Sequence, residues 1–162
     1  MGKRSTKENK NIYQTTRESL DLTRDAASQL MTFMSSDQIE KIESGKKLPH
    51  PDEILDMANA YKAPNLCNYY CSNECPIGEK YVPELELKSL SQITLEILAS
   101  LNSMEEKKNR LIEISADELI SSGEFEDFNT IRDNLDEISV AISSLKLWLE
   151  QSIADGKIRT NS

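Results

Sequence analysis

The chain has 162 residues, 38% of them apolar, and a formal net charge of −9, enough material for one substantial domain or two small ones. No apolar run is long enough to cross a bilayer, and the N-terminus carries Lys3, Arg4, Lys7 and Lys10 without the apolar core of a signal peptide, so no membrane role and a cytoplasmic location are expected. The charge is uneven: residues 1–50 hold nine Lys/Arg against seven Asp/Glu, residues 51–162 ten against twenty-one. Only the first fifty can therefore offer phosphates a basic surface.

Residues 1–10 contain no large apolar side chain after Met1 and read as a flexible basic arm, either a solvated tail or an arm that follows a DNA groove. Five helices are expected over residues 11–75. Asn11 to Leu20 forms the first, with Ile12, Tyr13 and Leu20 inward and Arg17 and Glu18 outward. The second is capped by Thr23 and turns Ala26, Ala27 and Leu30 inward. Met31, Phe33 and Met34 make a hydrophobic corner. Ser35 or Ser36 then caps a third helix, in which Ile39 and Ile42 share one face and Gly45 supplies the exit. Pro51 opens the fourth helix, where Asp52 and Glu53 suit the positive end and Ile54, Leu55, Ala58 and Tyr61 face inward. His50, between two prolines, reads as a loop residue. A short fifth helix opens at Pro64.

The order Leu22-Thr23, Ala27, Leu30, Ile39, Ile42-Glu43, Gly45, Pro49 and Ile54 to Tyr61 resembles the lambda-repressor-like, Xre/Cro-type helix-turn-helix family of bacterial regulators. The likeness covers roughly residues 11–65. It implies double-stranded DNA as partner, the third helix in a major groove, and a homodimer as the two-fold reader. By that resemblance Arg24, Lys46 and Lys47 meet phosphates, and Ser35, Ser36, Asp37, Gln38 and Lys41 form the exposed face of the recognition helix. Gln38 can pair with adenine, Asp37 can accept from cytosine and Ser36 can serve either. Asp37, Glu40 and Glu43 on that helix oppose only Lys41, which keeps open a second reading: a helix-turn-helix scaffold kept for protein contacts.

Cys67, Cys71 and Cys75 recur every four residues. They are read as small buried hydrophobes, as metal ligands lacking a fourth partner, or as a redox-sensitive set. Residues 76–88, punctuated by Pro76, Gly78 and Pro83, form a linker whose Tyr81-Val82-Pro83 is expected to run extended against the first domain. Two long amphipathic helices follow, from about Leu87 to Ile120 and from Glu124 to Ile153, separated by Ser121-Ser122-Gly123. The first carries Leu90, Ile93, Ile97, Leu101, Met104, Leu111 and Ile114 on one stripe, the second Phe125, Phe128, Leu135, Ile138, Ile142, Leu145 and Leu149. Spacings of three and four favour coiled-coil packing.

The expected architecture is all-α: a five-helix lambda-repressor-like helix-turn-helix domain over 11–75, then a long antiparallel helical hairpin over 89–155. Leu101, Leu111, Leu135, Ile142 and Trp148 are the expected dimerisation residues, the alternative being that the hairpin packs on its own N-terminal domain. The acidic second half is also a candidate surface for a protein partner. No glycine-rich phosphate loop, HExxH motif or elbow serine occurs, so neither an enzyme nor a cofactor is expected.

Overall fold

The computed structural model of the chain describes residues 9–116 and 119–158. Among them are eight helices and no strand, so the fold is all-α. The chain divides into two compact units, one of Met1–Leu85 with Glu150–Ser162, the other of Glu86–Leu149. No helix among the described residues is long and apolar enough to cross a membrane.

The first unit is built from six helices: α1 (Ile12–Ser19), α2 (Arg24–Leu30), α3 (Ser36–Glu43), α4 (Pro51–Tyr61), α5 (Asn65–Asn73) and α6 (Gly78–Tyr81). Their starts are set by short side chains. The Asn11 carboxamide accepts from Gln14 N, the Thr23 hydroxyl from Ala26 N and the Ser35 hydroxyl from Gln38 N, each satisfying a backbone donor that the helix cannot. Gln38 returns the bond to Ser35 N at 2.9 Å and closes a capping box. Gly45 leaves α3 with φ +73°. At the end of α4 the same left-handed turn is made by Lys62, a residue with a Cβ.

Tyr13, Ala27, Met34, Ile39, Ile42, Ile54, Met57, Tyr61 and Leu66 form the buried centre of this unit. Leu20, which ends α1, is exposed and not inward, and three more side chains expected there lie outside: Leu30, Phe33 and Leu55 are each more than half exposed. For these three the reason is the turn between α2 and α3. The Asp56 carboxylate accepts from Thr32 N at 2.9 Å and from Phe33 N at 3.2 Å, which ties the turn's backbone to α4 and leaves Met31 and Met34 to fill the interior. Tyr13 also reaches forward, its hydroxyl donating to Glu74 at 2.8 Å and its ring meeting Tyr69 edge-on. Burial, then this bond to Glu74, raise the Tyr13 phenol far above its ordinary range.

The segment after α5 is more ordered than a linker reading implies. It contains α6, and its extended part is held by Asn68, which donates to Pro83 O at 3.0 Å and accepts from Leu85 N at 2.8 Å. The α6 helix sits hard against α5. A Cβ built on Gly78 would lie 1.9 Å from the Cys71 carbonyl oxygen, a backbone atom that no rotamer change can move.

The second unit contains α7 (Leu90–Ile114) and most of α8 (Phe125–Ala154). The first is shorter than the expected span; Ser115 ends it, and Asp117 and Glu118 lie outside the described residues. Two contacts relate the helices. Arg110 donates to Asp127 at 2.7 Å and Asn134 to Ser100 O at 3.4 Å, so residues late in α7 meet residues early in α8 and the two run in opposite directions. The buried positions differ from the expected stripes. Ile93, Ile114, Ile131 and Leu147 are buried, but Ser100, Asn134, Ala141 and Ser144 are buried with them, whereas Leu101, Leu135, Ile142 and Leu149 stay nearly half exposed.

Replacing Gly78 with alanine is expected to cost about 2 kcal/mol or more, the scale of overpacking against fixed backbone. Urea unfolding of Gly78→Ala beside the unmodified chain measures it, and an unchanged midpoint would mean that α6 does not rest on α5.

Candidate nucleic-acid interface

The geometry of α3 follows from one ion-pair cluster that sequence reasoning missed. Arg17 does not point outward as expected. Its guanidinium is buried and donates from Nε to Glu43 Oε1 at 2.6 Å, from Nη2 to Glu43 Oε2 at 2.9 Å and from Nη1 to Leu22 O at 2.5 Å. Arg24 adds a third bond to Glu43, Nε to Oε2 at 2.8 Å. The Glu43 side chain has no exposure, and its charge therefore belongs to the interior and not to the reading face of α3. The bond to Glu43 raises the Arg17 guanidinium above its ordinary range, against the burial that opposes it. Asn11 holds the same end of the helix, donating from Nδ2 to Ile42 O at 2.9 Å.

With its inner face held by Ile39, Ile42 and Glu43, α3 presents Ser35, Asp37 and Lys41 to solvent, with Ser36, Gln38 and Glu40 half-buried between them. Gln38 is occupied by the capping box. Lys41 lies 2.7 Å from Asp37, one turn earlier. Past Gly45, Lys46 pairs with Glu40 at 3.1 Å and Lys47 pairs with Glu53. Although burial opposes it, the His50 N–H and the Lys47 ammonium keep the Glu53 carboxyl below its ordinary range. Arg24, expected at a phosphate, is about one-third exposed but spends its Nε on Glu43. Every described base of the expected DNA-contact set thus already has a carboxylate partner. The basic arm lies outside the described residues except for Asn9 and Lys10, and Lys10 pairs with Glu18 at 2.6 Å.

The three cysteines sit on and just after α5, all half-buried and unpaired. Burial raises the Cys67 thiol above its ordinary range, and the neighbouring Cys71 and Glu150 add to the effect, so a neutral thiol is favoured there. No group of three His, Cys, Asp or Glu side chains among the described residues is arranged to hold a metal. His50 is the cap residue of α4, with its N–H donating to Glu53 at 2.8 Å.

Comparison of the chain with family models, curated proteins and solved structures finds no match. The site is therefore read from its own chemistry.

Two outcomes follow. Glu43→Ala, which strands two guanidiniums, is expected to cost about 3 to 5 kcal/mol in chemical denaturation, and Arg24→Ala, at a partly solvated position, much less. Elemental analysis of protein purified under reducing conditions should return no stoichiometric metal; one zinc or several irons per chain would make Cys67, Cys71 and Cys75 ligands instead of free thiols.

Proposed function

We propose that this chain is a cytoplasmic DNA-binding regulator of the lambda-repressor-like helix-turn-helix type, acting as a dimer: a five-helix DNA-reading domain followed by an antiparallel helical hairpin. The observation that supports it is the exposed outer face of α3. Its inner face is fixed by Ile39, Ile42 and the Arg17–Glu43 pair, and its first turn is preformed by the Ser35–Gln38 capping box. A short helix held in this way enters a major groove with little ordering cost. Ser36, Asp37, Gln38 and Lys41 are the residues nearest to bases, and Arg24, Lys46 and Lys47 stand at its edges for phosphates.

A second reading has its own support. Arg24, Lys41, Lys46 and Lys47 all pair with carboxylates, and Leu30, Phe33 and Leu55 stand exposed. Those features suit a protein-interaction module that keeps the fold without reading an operator, with the acidic second half as a further contact surface.

Selection from a pool of genomic fragments separates the two. The DNA reading expects an enriched sequence and binding that fades with salt. Lys46→Ala should then weaken binding to all sequences alike. Gln38→Glu keeps the capping box but removes the amide donor, so it should lose preference among sequences, at about 1 to 3 kcal/mol for the affected base. No enriched site, together with no binding at low salt, would favour the protein-interaction reading.

A further inference from the structure

The second unit turns one side to an acidic cleft and the other to a largely aliphatic face whose charges are Glu105 and Lys146. The cleft, of about 520 Å³, is lined by Glu96 and Ala99 on α7 and by Asp133, Asp136, Glu137 and Val140 on α8. A step of two residues along an α-helix turns about 200°, nearly to the opposite side. Leu98 and Leu101 lie two residues beyond Glu96 and Ala99, and Leu135 and Ile142 two beyond Asp133 and Val140. All four therefore face away from the cleft, on the same side of the helix pair. Leu98, Leu101, Leu135, Ile142 and Leu149 are each between 43% and 52% exposed.

We infer that two copies of this chain associate through this face, with Leu135, Ile138, Ile142, Leu145 and Leu149 as the seam and Leu98 and Leu101 beside it, making a four-helix bundle whose acidic clefts turn outward. Three observations point to a second copy as the occupant. The α8 residues repeat at three and four over five positions, the spacing that packs against a like stripe. Within the unit Ile93, Ile114, Ile131 and Leu147 are buried together with the small and polar Ser100, Asn134, Ala141 and Ser144, and the buried Asn134 Oδ1 has no hydrogen-bond partner, so Leu135, Ile142 and Leu149 of the α8 stripe are left over by the packing inside the unit. Residues 86–149 carry thirteen Asp/Glu against six Lys/Arg, and like units repel least when they meet through the α8 stripe from Leu135 to Leu149, which carries Lys146 but no carboxylate.

The area fits as well. Half of each of five large aliphatic side chains is on the order of 400 Å² of apolar surface, about half of the roughly 800 Å² that a stable interface takes from each partner, the remainder being polar rim. The inference names the face behind the proposed dimer but does not depend on DNA reading.

Analytical ultracentrifugation of the full 18.3 kDa chain at micromolar concentration, without DNA, is expected to show a dimer. Ile142→Glu and Leu101→Glu should give monomers with unchanged helical circular dichroism, whereas Asp136→Asn in the cleft should leave the dimer intact. If either charged variant loses helix, Ile142→Ala, which favours helix, should raise the dissociation constant at least ten-fold. The sole tryptophan, Trp148, adjoins the seam at Leu149, and its emission should shift on dilution through that constant. A monomeric unmodified chain, or a dimer indifferent to Ile142→Ala, would overturn the inference. Failure to bind DNA would leave these masses untouched.

Discussion

A fully buried carboxylate, Glu43, decides how the first unit is built. Removing its charge from water is tolerable only because two guanidiniums donate three bonds to it, one of them held in place by a further bond to Leu22 O. Arg17 comes from α1, Arg24 from the start of α2, and the Arg17 guanidinium also reaches the carbonyl of Leu22 that precedes α2. Three helices and the turn between two of them are thus oriented by one side chain at the last turn of α3. Apolar contacts alone, Ile39 and Ile42 against Ala27 and Ile54, would permit α3 to roll or slide; directional bonds to Glu43 do not. The outer face of α3 is consequently fixed by an interaction on its inner face.

The polar bonds around this centre divide the labour with the apolar core. Asp56 satisfies the amides of Thr32 and Phe33, Glu74 takes the hydroxyl of Tyr13, and Asn68 holds Pro83 and Leu85. Each joins segments far apart in sequence, where side-chain chemistry and not periodicity sets the geometry. They explain how a unit of short helices, none in it longer than the eleven residues of α4, holds irregular connections without strands.

What the sequence reveals and what it hides follow from this division. The caps at Thr23 and Ser35, proline at the head of α4, and Ala27, Ile39, Ile42, Ile54 and Tyr61 as interior residues are legible because each depends on neighbours within a turn or two. Arg17 was not, since its partner lies 26 residues away and a charged residue on an amphipathic helix ordinarily faces water. Leu30 and Leu55 satisfy the same periodicity as their buried neighbours; only the turn anchored by Asp56 decides which edge of a wide stripe is covered. In α8 two stripes about 100° apart compete for the interior. Of the more aliphatic one Ile131 is buried and Ile138 and Leu145 half-buried, but no reading of hydrophobicity selects Asn134, Ala141 and Ser144 over its exposed Leu135, Ile142 and Leu149. The Asn68 clamp and the bond to Glu74 leave no periodic signal.

The pairing of Lys41, Lys46 and Lys47 with Asp37, Glu40 and Glu53 has a thermodynamic consequence for any polyanion that approaches α3. Each ammonium must exchange one anion for another, and the displaced carboxylate is left beside the newcomer, where it gathers a cation from solution. Ions released from the polyanion are then partly recaptured by the protein, and the net entropy gain per lysine is smaller than for an unpaired base. A surface of this kind acts as an ion exchanger, holding back from isolated phosphates and yielding to ligands that present several charges at matching spacing at once.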